Sequence, residues 1–310
     1  MDNASHSNFR SRSIGDADLD EIAEMLGKGL GYPKSYFEQL LQLLKAHPTP
    51  PGYPKYGYVL ESDRAIVGVI ILIFSSIQTG NGLEMRCHVT SWYVEPDYRT
   101  YATLFFSAAL KHPGVTYLNT SARPATIPII KAQGFTKYSR GQFITIPILQ
   151  SPSKDVRVEV VAANKVPNGR YEPFEQDLLL THEKYGNISF WCTACGSAYP
   201  FIFQKRRFKG ILPGAQLVYC RDVEDFVRFA RPIGLALASR GIFVARIDSN
   251  GQIPGLAGRY IDGMEPRYYK GVKPRQGDLT YTQNVMTGHL RKQNWVALKL
   301  SKLKMALHQQ

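Results

Sequence analysis

Cysteine is scarce in this chain, with four residues in 310. Four cysteines are too few for the disulfide framework of a secreted protein of this length. Cys192 and Cys195 have the spacing of a metal-ligand pair, but the sequence offers no second pair to complete a tetrahedral zinc site. We therefore predict reduced thiols and no bound metal.

Long apolar runs are also missing. The longest, Ala65–Phe74, is about half of the ~20 residues that a membrane helix needs, and its Ile and Val content is typical of a buried strand. The first residues of the chain are polar and lack the apolar core of a signal peptide. We therefore expect a cytoplasmic protein without a membrane-spanning segment.

Acidic residues are few, 25 against 38 basic ones, which gives a formal charge of +13. Residues 1–150 contain 14 basic and 12 acidic residues, whereas residues 151–310 contain 24 and 13. The length and this shift in charge predict two domains, 1–150 and 151–310, joined near the Ser/Pro/Lys stretch 150–155. The basic half is expected to meet an anionic partner.

Apolar residues, at 44% of the chain, are sufficient for two cores and exclude general disorder. Their spacing predicts alternating strands and helices in the first half. The predicted strands are 9–14, 56–61, 66–74, 85–94, 115–119 and 143–149, and the predicted helices are 18–29, one that starts at 35, 102–111 and one from 126 to Gly134.

The second half is predicted to repeat this order of elements. Its predicted strands are 156–161, 188–195, 198–204, 216–220 and 242–247, and its predicted helices are 174–185, 223–239 and a last one around 294–307. The expected fold class is mixed α+β or α/β, with mostly antiparallel central sheets flanked by helices, in two domains of the same kind.

Residues 88–110, HVTSWYVEPDYRTYATLFFSAAL, carry the most information. A strand that ends at Val94 is followed by Pro96, Arg99 and a helix. This order resembles motif A of the GCN5-related N-acetyltransferase (GNAT) superfamily, which reads Val-x-Pro and then Arg/Gln-x-x-Gly-x-Gly/Ala. The preceding hairpin and the later pair Gly134-Phe135 also occur in family order. The resemblance covers residues 9–149 and suggests a degenerate second copy in 151–310.

The resemblance implies an acyltransferase that moves an acetyl or longer acyl group from acyl-CoA to an amine or hydroxyl by direct attack. The first amides of a helix lack intrahelical partners and favour anions, so they would hold the pyrophosphate of coenzyme A. The end of the preceding strand would pair with the pantetheine arm. The implied residues are Trp92, Tyr93 and Val94 for the arm, and Arg99, Thr100, Tyr101, Ala102, Thr103 and Leu104 for the pyrophosphate.

His88 is the candidate general base. It lies six positions before Val94, where several members of the superfamily carry a Glu or His base. Imidazole is suited to taking a proton from an amine or hydroxyl near neutral pH. Strand alternation is expected to put His88, Thr90, Trp92 and Val94 on one face.

The general acid is harder to identify. Many members of the superfamily carry a Tyr four residues before the Gly-Phe pair, and this sequence has Ile130 there. We take Tyr138 as the candidate acid, and Tyr93 and Tyr117 are alternatives that the sequence does not separate.

A different class of function is also open. Ala102 and Leu104 stand at the two glycine positions of the motif. With Ile130, they favour a catalytically degenerate module that binds nucleic acid, an anionic glycan or a protein partner. A groove filled by side chains between the strand that ends at Val94 and the one that starts at Val115 would favour this module, and an open groove would favour the enzyme.

The second half has two further features to weigh. The clusters 205–209 and 267–275 interleave basic and aromatic residues, as phosphate-binding surfaces do. No known nucleic-acid motif accompanies them, so we favour an anionic small substrate or an acyl-CoA contact over nucleic acid. The segment Asp248–Gly251 begins like a calcium loop but has no glutamate at the twelfth position, and it predicts a turn.

Overall fold

The computed structural model describes residues 9–79, 82–152, 155–162, 165–208, 212–279 and 283–286. They divide into two compact units. The first holds the described residues up to Asn119 together with Ala125–Phe135, and the second holds Thr120–Pro124 and the described residues from Thr136 onward. The predicted helix at 294–307 lies outside the described residues.

The first unit is a five-stranded sheet with helices, in the strand order β1-β2-β3-β4-β5. Neighbouring strands are antiparallel except β4 and β5, which are parallel. The strands are β1 (Phe9–Ser13), β2 (Gly57–Ser62), β3 (Ala65–Thr79), β4 (Gly82–Val94) and β5 (Val115–Asn119). The helices are α1 (Leu19–Leu30), α2 (Lys34–Ala46), α3 (Ala102–Ala109) and α4 (Ile127–Ala132), with a 3-10 helix at Pro96–Tyr101.

Apolar periodicity explains these elements. The helix α1 buries Ile22, Ala23 and Leu26 on one face, and it ends where Gly31 takes the left-handed conformation with φ of 74°. Strand β3 is buried almost throughout residues 66–74, as its continuous apolar run predicts. The predicted strands and helices of the first half up to residue 132 are therefore present, with ends shifted by a few residues.

The second unit has the strand order β12-β6-β11-β10-β9-β8-β7. Neighbouring strands in this order are antiparallel except β10 and β11, which are parallel. The strands are β6 (Thr136–Thr145), β7 (Arg157–Val160), β8 (Ile188–Ala194), β9 (Ser197–Phe208), β10 (Leu212–Cys220), β11 (Val244–Ser249) and β12 (Gly258–Lys270). The helices are α5 (Pro173–Lys184), α6 (Val223–Ala238) and the short α7 (Gln283–Met286).

Strand β6 departs from the prediction. The expected strand at 143–149 is instead Thr136–Thr145, and its two partners, β11 and β12, both come from the second half of the chain. Gly141 allows this pairing, because a Cβ there would lie 2.2 Å from the carbonyl oxygen of Ile261 in β12. The prediction that this strand closes the first half is therefore wrong, and the domain boundary at residue 150 remains a prediction.

The two units share one arrangement. In the first, the antiparallel pair β3–β4 is followed by α3 and by β5, which runs parallel to β4. In the second, the antiparallel pair β9–β10 is followed by α6 and by β11, which runs parallel to β10. Each unit is thus a mostly antiparallel sheet flanked by helices, as predicted. Among the described helices, none has the length and apolar character needed to cross a membrane.

Candidate functional site

Strands β4 and β5 separate partway along their length. Their parallel pairing runs from Met85 with Val115 to His88 with Leu118 and then stops. Strand β4 continues for six more residues, to Val94. Residues 89–94 of β4 therefore extend beyond its pairing with β5.

A β-bulge lies in the same part of β4. Ile70 of β3 is opposite Trp92, and Ile71 is opposite Thr90, so Ser91 is the extra residue. Ser91 has a φ of 43°, which is unusual for a residue other than glycine. The bulge reverses the alternation of side chains beyond it.

The faces of β4 follow from this bulge. Residues opposite one another share a face, so His88, Thr90 and Tyr93 lie on one side of the sheet and Trp92 and Val94 on the other. The prediction that His88, Thr90, Trp92 and Val94 share a face is therefore wrong, because regular alternation was assumed through Ser91.

Contacts with the helices identify the two faces. A Cβ on Gly29 of α1 would lie 2.4 Å from the ring of Tyr93, so Tyr93 packs closely against α1. On the other face, the ring of Trp92 packs against Phe106 of α3, with centroids 4.6 Å apart. The indole N–H of Trp92 is buried and has no hydrogen-bond partner among the described residues.

His88 lies deep in the first unit. Its side chain is 1% exposed, and His88 is the last residue of β4 that pairs with β5. Burial, and then the nearby positive charges of Arg86 and His47, lower the pKa of His88 to about 3. The imidazole is therefore neutral at physiological pH, which a general base requires, but it does not reach solvent directly.

The segment after β4 is helical from its start. Pro96–Tyr101 forms a 3-10 helix that leads directly into α3, and the amide of Ala102 donates to the carbonyl of Arg99. This amide is therefore already used in the described conformation. The ring of Tyr101 stacks on Phe9 of β1 at 3.7 Å, which fixes the 3-10 helix to the sheet.

Several predicted pyrophosphate ligands face solvent. Arg99, Thr100 and Thr103 are exposed, and Leu104 is 70% exposed. The side chain of Leu104 therefore does not fill the opening between β4 and β5. The exposed guanidinium and the two hydroxyls are chemically suited to phosphate oxygens.

The candidate acids are in different environments. Ile130, at the position of the family Tyr, is fully buried. The hydroxyl of Tyr117 accepts a hydrogen bond from the amide of His112, and burial raises the pKa of this tyrosine well above its usual value. Tyr138 belongs to the second unit, where its ring makes an edge contact with Tyr269 at 6.2 Å.

Sequence reasoning missed a polar cavity within the second unit. Its volume is about 390 Å³, and Tyr138 and Asp248 are among the residues that line it. Asp248 lies in the segment for which only a turn was predicted. Its position near the end of β11 is the signal that could have identified it, because polar residues at the ends of parallel strands often form sites.

Comparisons with known proteins bear on the fold. No family model matches the chain, and no curated protein matches its sequence significantly. Solved structures do match it. A GCN5-related N-acetyltransferase from Anabaena variabilis superposes with a TM-score of 0.56 at 11% identity, and the match covers 84% of this chain and 72% of that one.

Two other structures give similar results. A GCN5-related N-acetyltransferase from Kribbella flavida has a TM-score of 0.55 at 12% identity, with 86% and 72% of the two chains covered. Eis1 from Mycobacterium abscessus has a TM-score of 0.50 at 12% identity, with 85% and 73% covered. The order of strands and helices, the parting of β4 from β5 and these superpositions agree that the chain has the fold of the GCN5-related N-acetyltransferases.

Proposed function

We propose that this chain is an acyl-CoA-dependent acyltransferase whose acyl-CoA site is in the first unit. The observation that carries the proposal is the early end of the β4–β5 pairing at His88 and Leu118. We propose that the amide groups of a pantetheine arm lie along residues 89–94, the part of β4 beyond this pairing. The solved structures of the same fold that are named acetyltransferases support this assignment.

The pyrophosphate of the acyl-CoA is proposed to bind at the start of α3. Arg99, Thr100 and Thr103 present a cation and two hydroxyls to solvent there. Because the amide of Ala102 already donates to Arg99, we assign most of the contact to these side chains rather than to the backbone. Amides of Tyr101 and Leu104 are secondary candidates that a small opening of the 3-10 turn would free.

The reaction proposed is direct acyl transfer. The nitrogen or oxygen of the acceptor attacks the thioester carbonyl, the carbon–sulfur bond breaks, and the thiolate of coenzyme A takes up a proton. His88 is the proposed base and acts through a water, since its imidazole is 1% exposed. Tyr138, the acid predicted from the sequence, belongs to the second unit, so its role stays a prediction. The amides beyond the bulge at Ser91 would stabilise the oxyanion.

The alternative is a binding module without catalysis. The full burial of Ile130, where a tyrosine acid would stand, favours it. The exposure of Leu104 and the separation of β4 from β5 favour the enzyme instead. A module of this kind would bind acyl-CoA or a polyanion but would release no free thiol in the presence of acceptor amines, and binding to nucleic acid would fall steeply with salt.

Titration calorimetry with acetyl-CoA and with longer acyl-CoAs tests the proposal. We expect saturable binding that Arg99→Glu abolishes. The matched control is Arg64→Glu, which makes the same charge change in the exposed turn between β2 and β3. Failure of every acyl-CoA to bind the folded chain would overturn the proposal, and equal loss of affinity in both variants would remove Arg99 from the site.

A further inference from the structure

The cavity of the second unit lies where β10 and β11 part. Their parallel pairing ends at Gln216 and Arg246, and Val218 is an extra residue in β10 just beyond that point. The cavity volume of about 390 Å³ falls within the usual range for small-ligand sites, ~300–1,000 Å³. Its lining consists of Tyr138, Ser139, Leu217, Val218, Ile247, Asp248, Asn250 and the segment 273–278.

An acyl-CoA arm does not suit this opening, because the chain itself covers the edge of β10. The amide of Cys220 donates to the carbonyl of Gly277 at 3.0 Å, and the guanidinium of Arg275 donates to the carbonyl of Cys220 at 2.8 Å. The side-chain amide of Gln276 donates to the carbonyl of Asp248 at 2.9 Å. The segment 273–278 is thus bound to both strands and closes one side of the cavity.

The carboxylate of Asp248, which lines the cavity, is held by three side chains. Oδ1 of Asp248 accepts hydrogen bonds from Gln142 at 2.5 Å, from Arg267 at 3.0 Å and from Gln216 at 3.3 Å. Within the described part of the chain, Oδ2 has no hydrogen-bond partner. The three donors orient the carboxylate, and its second oxygen remains able to accept a hydrogen bond from a ligand in the cavity.

Two basic residues belong to the segment 273–278, which closes one side of the cavity. Lys273 is exposed, and within the described part of the chain it has no acidic partner. One amino group of Arg275 is bound to Cys220 and Gln276, which fixes the guanidinium and leaves its other N–H donors for a ligand. These two residues and Asp248 line one cavity, so a ligand there meets both signs of charge.

Part of the remaining wall is apolar, and the rest includes the polar residues Ser139, Gln276 and Asp278. Leu217, Val218 and Ile247 line the cavity together with the ring of Tyr138 and with Pro274. Asn250 is already committed to structure, since it donates to the carbonyl of Tyr138 and accepts from the amide of Arg140. An apolar group of the ligand is therefore favoured between its two charged ends.

We propose that this cavity binds a small zwitterion, an apolar amino acid or dipeptide with free termini. Its ammonium group contacts Oδ2 of Asp248, its carboxylate contacts Lys273 and Arg275, and its side chains pack on Leu217, Val218 and Ile247. The site is contained in the second unit and does not depend on the function proposed for the first.

Calorimetry with the full chain tests the proposal, with leucine and leucyl-leucine as probes. We expect saturable binding of at least one probe at roughly millimolar concentrations or below. Acetylation of the amine and amidation of the carboxyl should each weaken binding about tenfold or more, because each removes a charged hydrogen bond. The absence of saturable binding, or equal affinity for free and blocked probes, would overturn the proposal.

Two variants assign the site. Asp248→Asn keeps an acceptor for Gln142 and Arg267, and it should lower the affinity for the free amine to that of the acetylated probe. Val218→Trp should fill the cavity and abolish binding. The control is Asp177→Asn on the exposed side of α5, which should change nothing. Thermal unfolding verifies that each variant is folded, and full affinity in Val218→Trp would locate the ligand elsewhere and refute the site.

Discussion

His88 and Leu118 form the last parallel pair between β4 and β5, and the two strands separate immediately beyond them. His88, the candidate general base, therefore lies where the opening proposed to receive the acyl-CoA begins. Gln216 and Arg246 end the pairing of β10 with β11 in the same way in the second unit. There the chain's own segment 273–278 is hydrogen-bonded to the end of β10.

The first prediction concerns the bulge at Ser91, which turns Tyr93 toward α1. Gly29→Ala should destabilise the chain by ~1–3 kcal/mol, because the new Cβ would lie 2.4 Å from the Tyr93 ring. In a Tyr93→Ala background the same change should be neutral or stabilising, since alanine favours a helix over glycine by about 1 kcal/mol. Chemical denaturation of the wild type, the two single variants and the double variant gives the coupling free energy between positions 29 and 93. Additive effects would show that Tyr93 does not face α1.

The second prediction concerns acid stability. Burial is the main cause that lowers the pKa of His88 to about 3 and of His47 to about 4, from an unfolded value near 6.5. As pH falls below about 6.5, the unfolded chain takes up protons that the folded chain does not. The free energy of unfolding should therefore decrease as pH falls from about 6.5 to about 4.

Denaturation at several pH values checks this slope. His88→Gln should flatten it between pH 6.5 and 4, whereas His112→Gln should change it less, because His112 is only half-buried. The expectation fails if the free energy of unfolding of His88→Gln changes with pH as steeply as that of the wild type.

The third prediction concerns catalysis. If His88 is the base, His88→Gln should lower kcat about a hundredfold while acyl-CoA affinity stays within a few fold. Because the pKa of His88 is about 3, its protonation should cause no loss of wild-type rate between pH 8 and 5. Release of the coenzyme A thiol, measured with a panel of amines at several pH values, gives kcat and its dependence on pH. Unchanged turnover would remove His88 from the mechanism and leave the proposed acyl-CoA site intact.

Much of the fold could be predicted from the sequence because its signals are local. The run Ala65–Phe74 and the spacing of Ile22, Ala23 and Leu26 each specify one element without reference to distant residues. Strand β12 was missed for the opposite reason. It is polar, contains Pro266 and is stabilised by its pairing with β6, and no local pattern reports such a partner.

The site was predictable only in part. The position of β4 and of the helix after it followed from the order of residues 88–110. The bulge did not, because nothing about Ser91 in the sequence indicates a positive φ. Asp248 was passed over for a similar reason, since its three donors come from β6, β10 and β12, which are distant in sequence.

The last prediction concerns Leu104, which stands where the superfamily motif has a small residue. Its side chain is 70% exposed on the first turn of α3, so truncation removes little packing. If this side chain hinders the approach of a phosphate, Leu104→Ala should tighten acetyl-CoA binding about threefold to tenfold. Leu104→Gly should tighten binding too, at a cost of about 1 kcal/mol in helix stability.

Calorimetry on both Leu104 variants measures the change in acetyl-CoA affinity, and chemical denaturation measures the change in the free energy of unfolding. The matched control is Leu149→Ala, because Leu149 is equally exposed but lies in the second unit. Tightening in both Leu104 variants and not in the control would mean that the leucine limits access to the start of α3. Unchanged affinity in both would mean that the phosphate does not approach this turn, and the pyrophosphate contact would then have to come from Arg99 and its neighbours on the 3-10 helix.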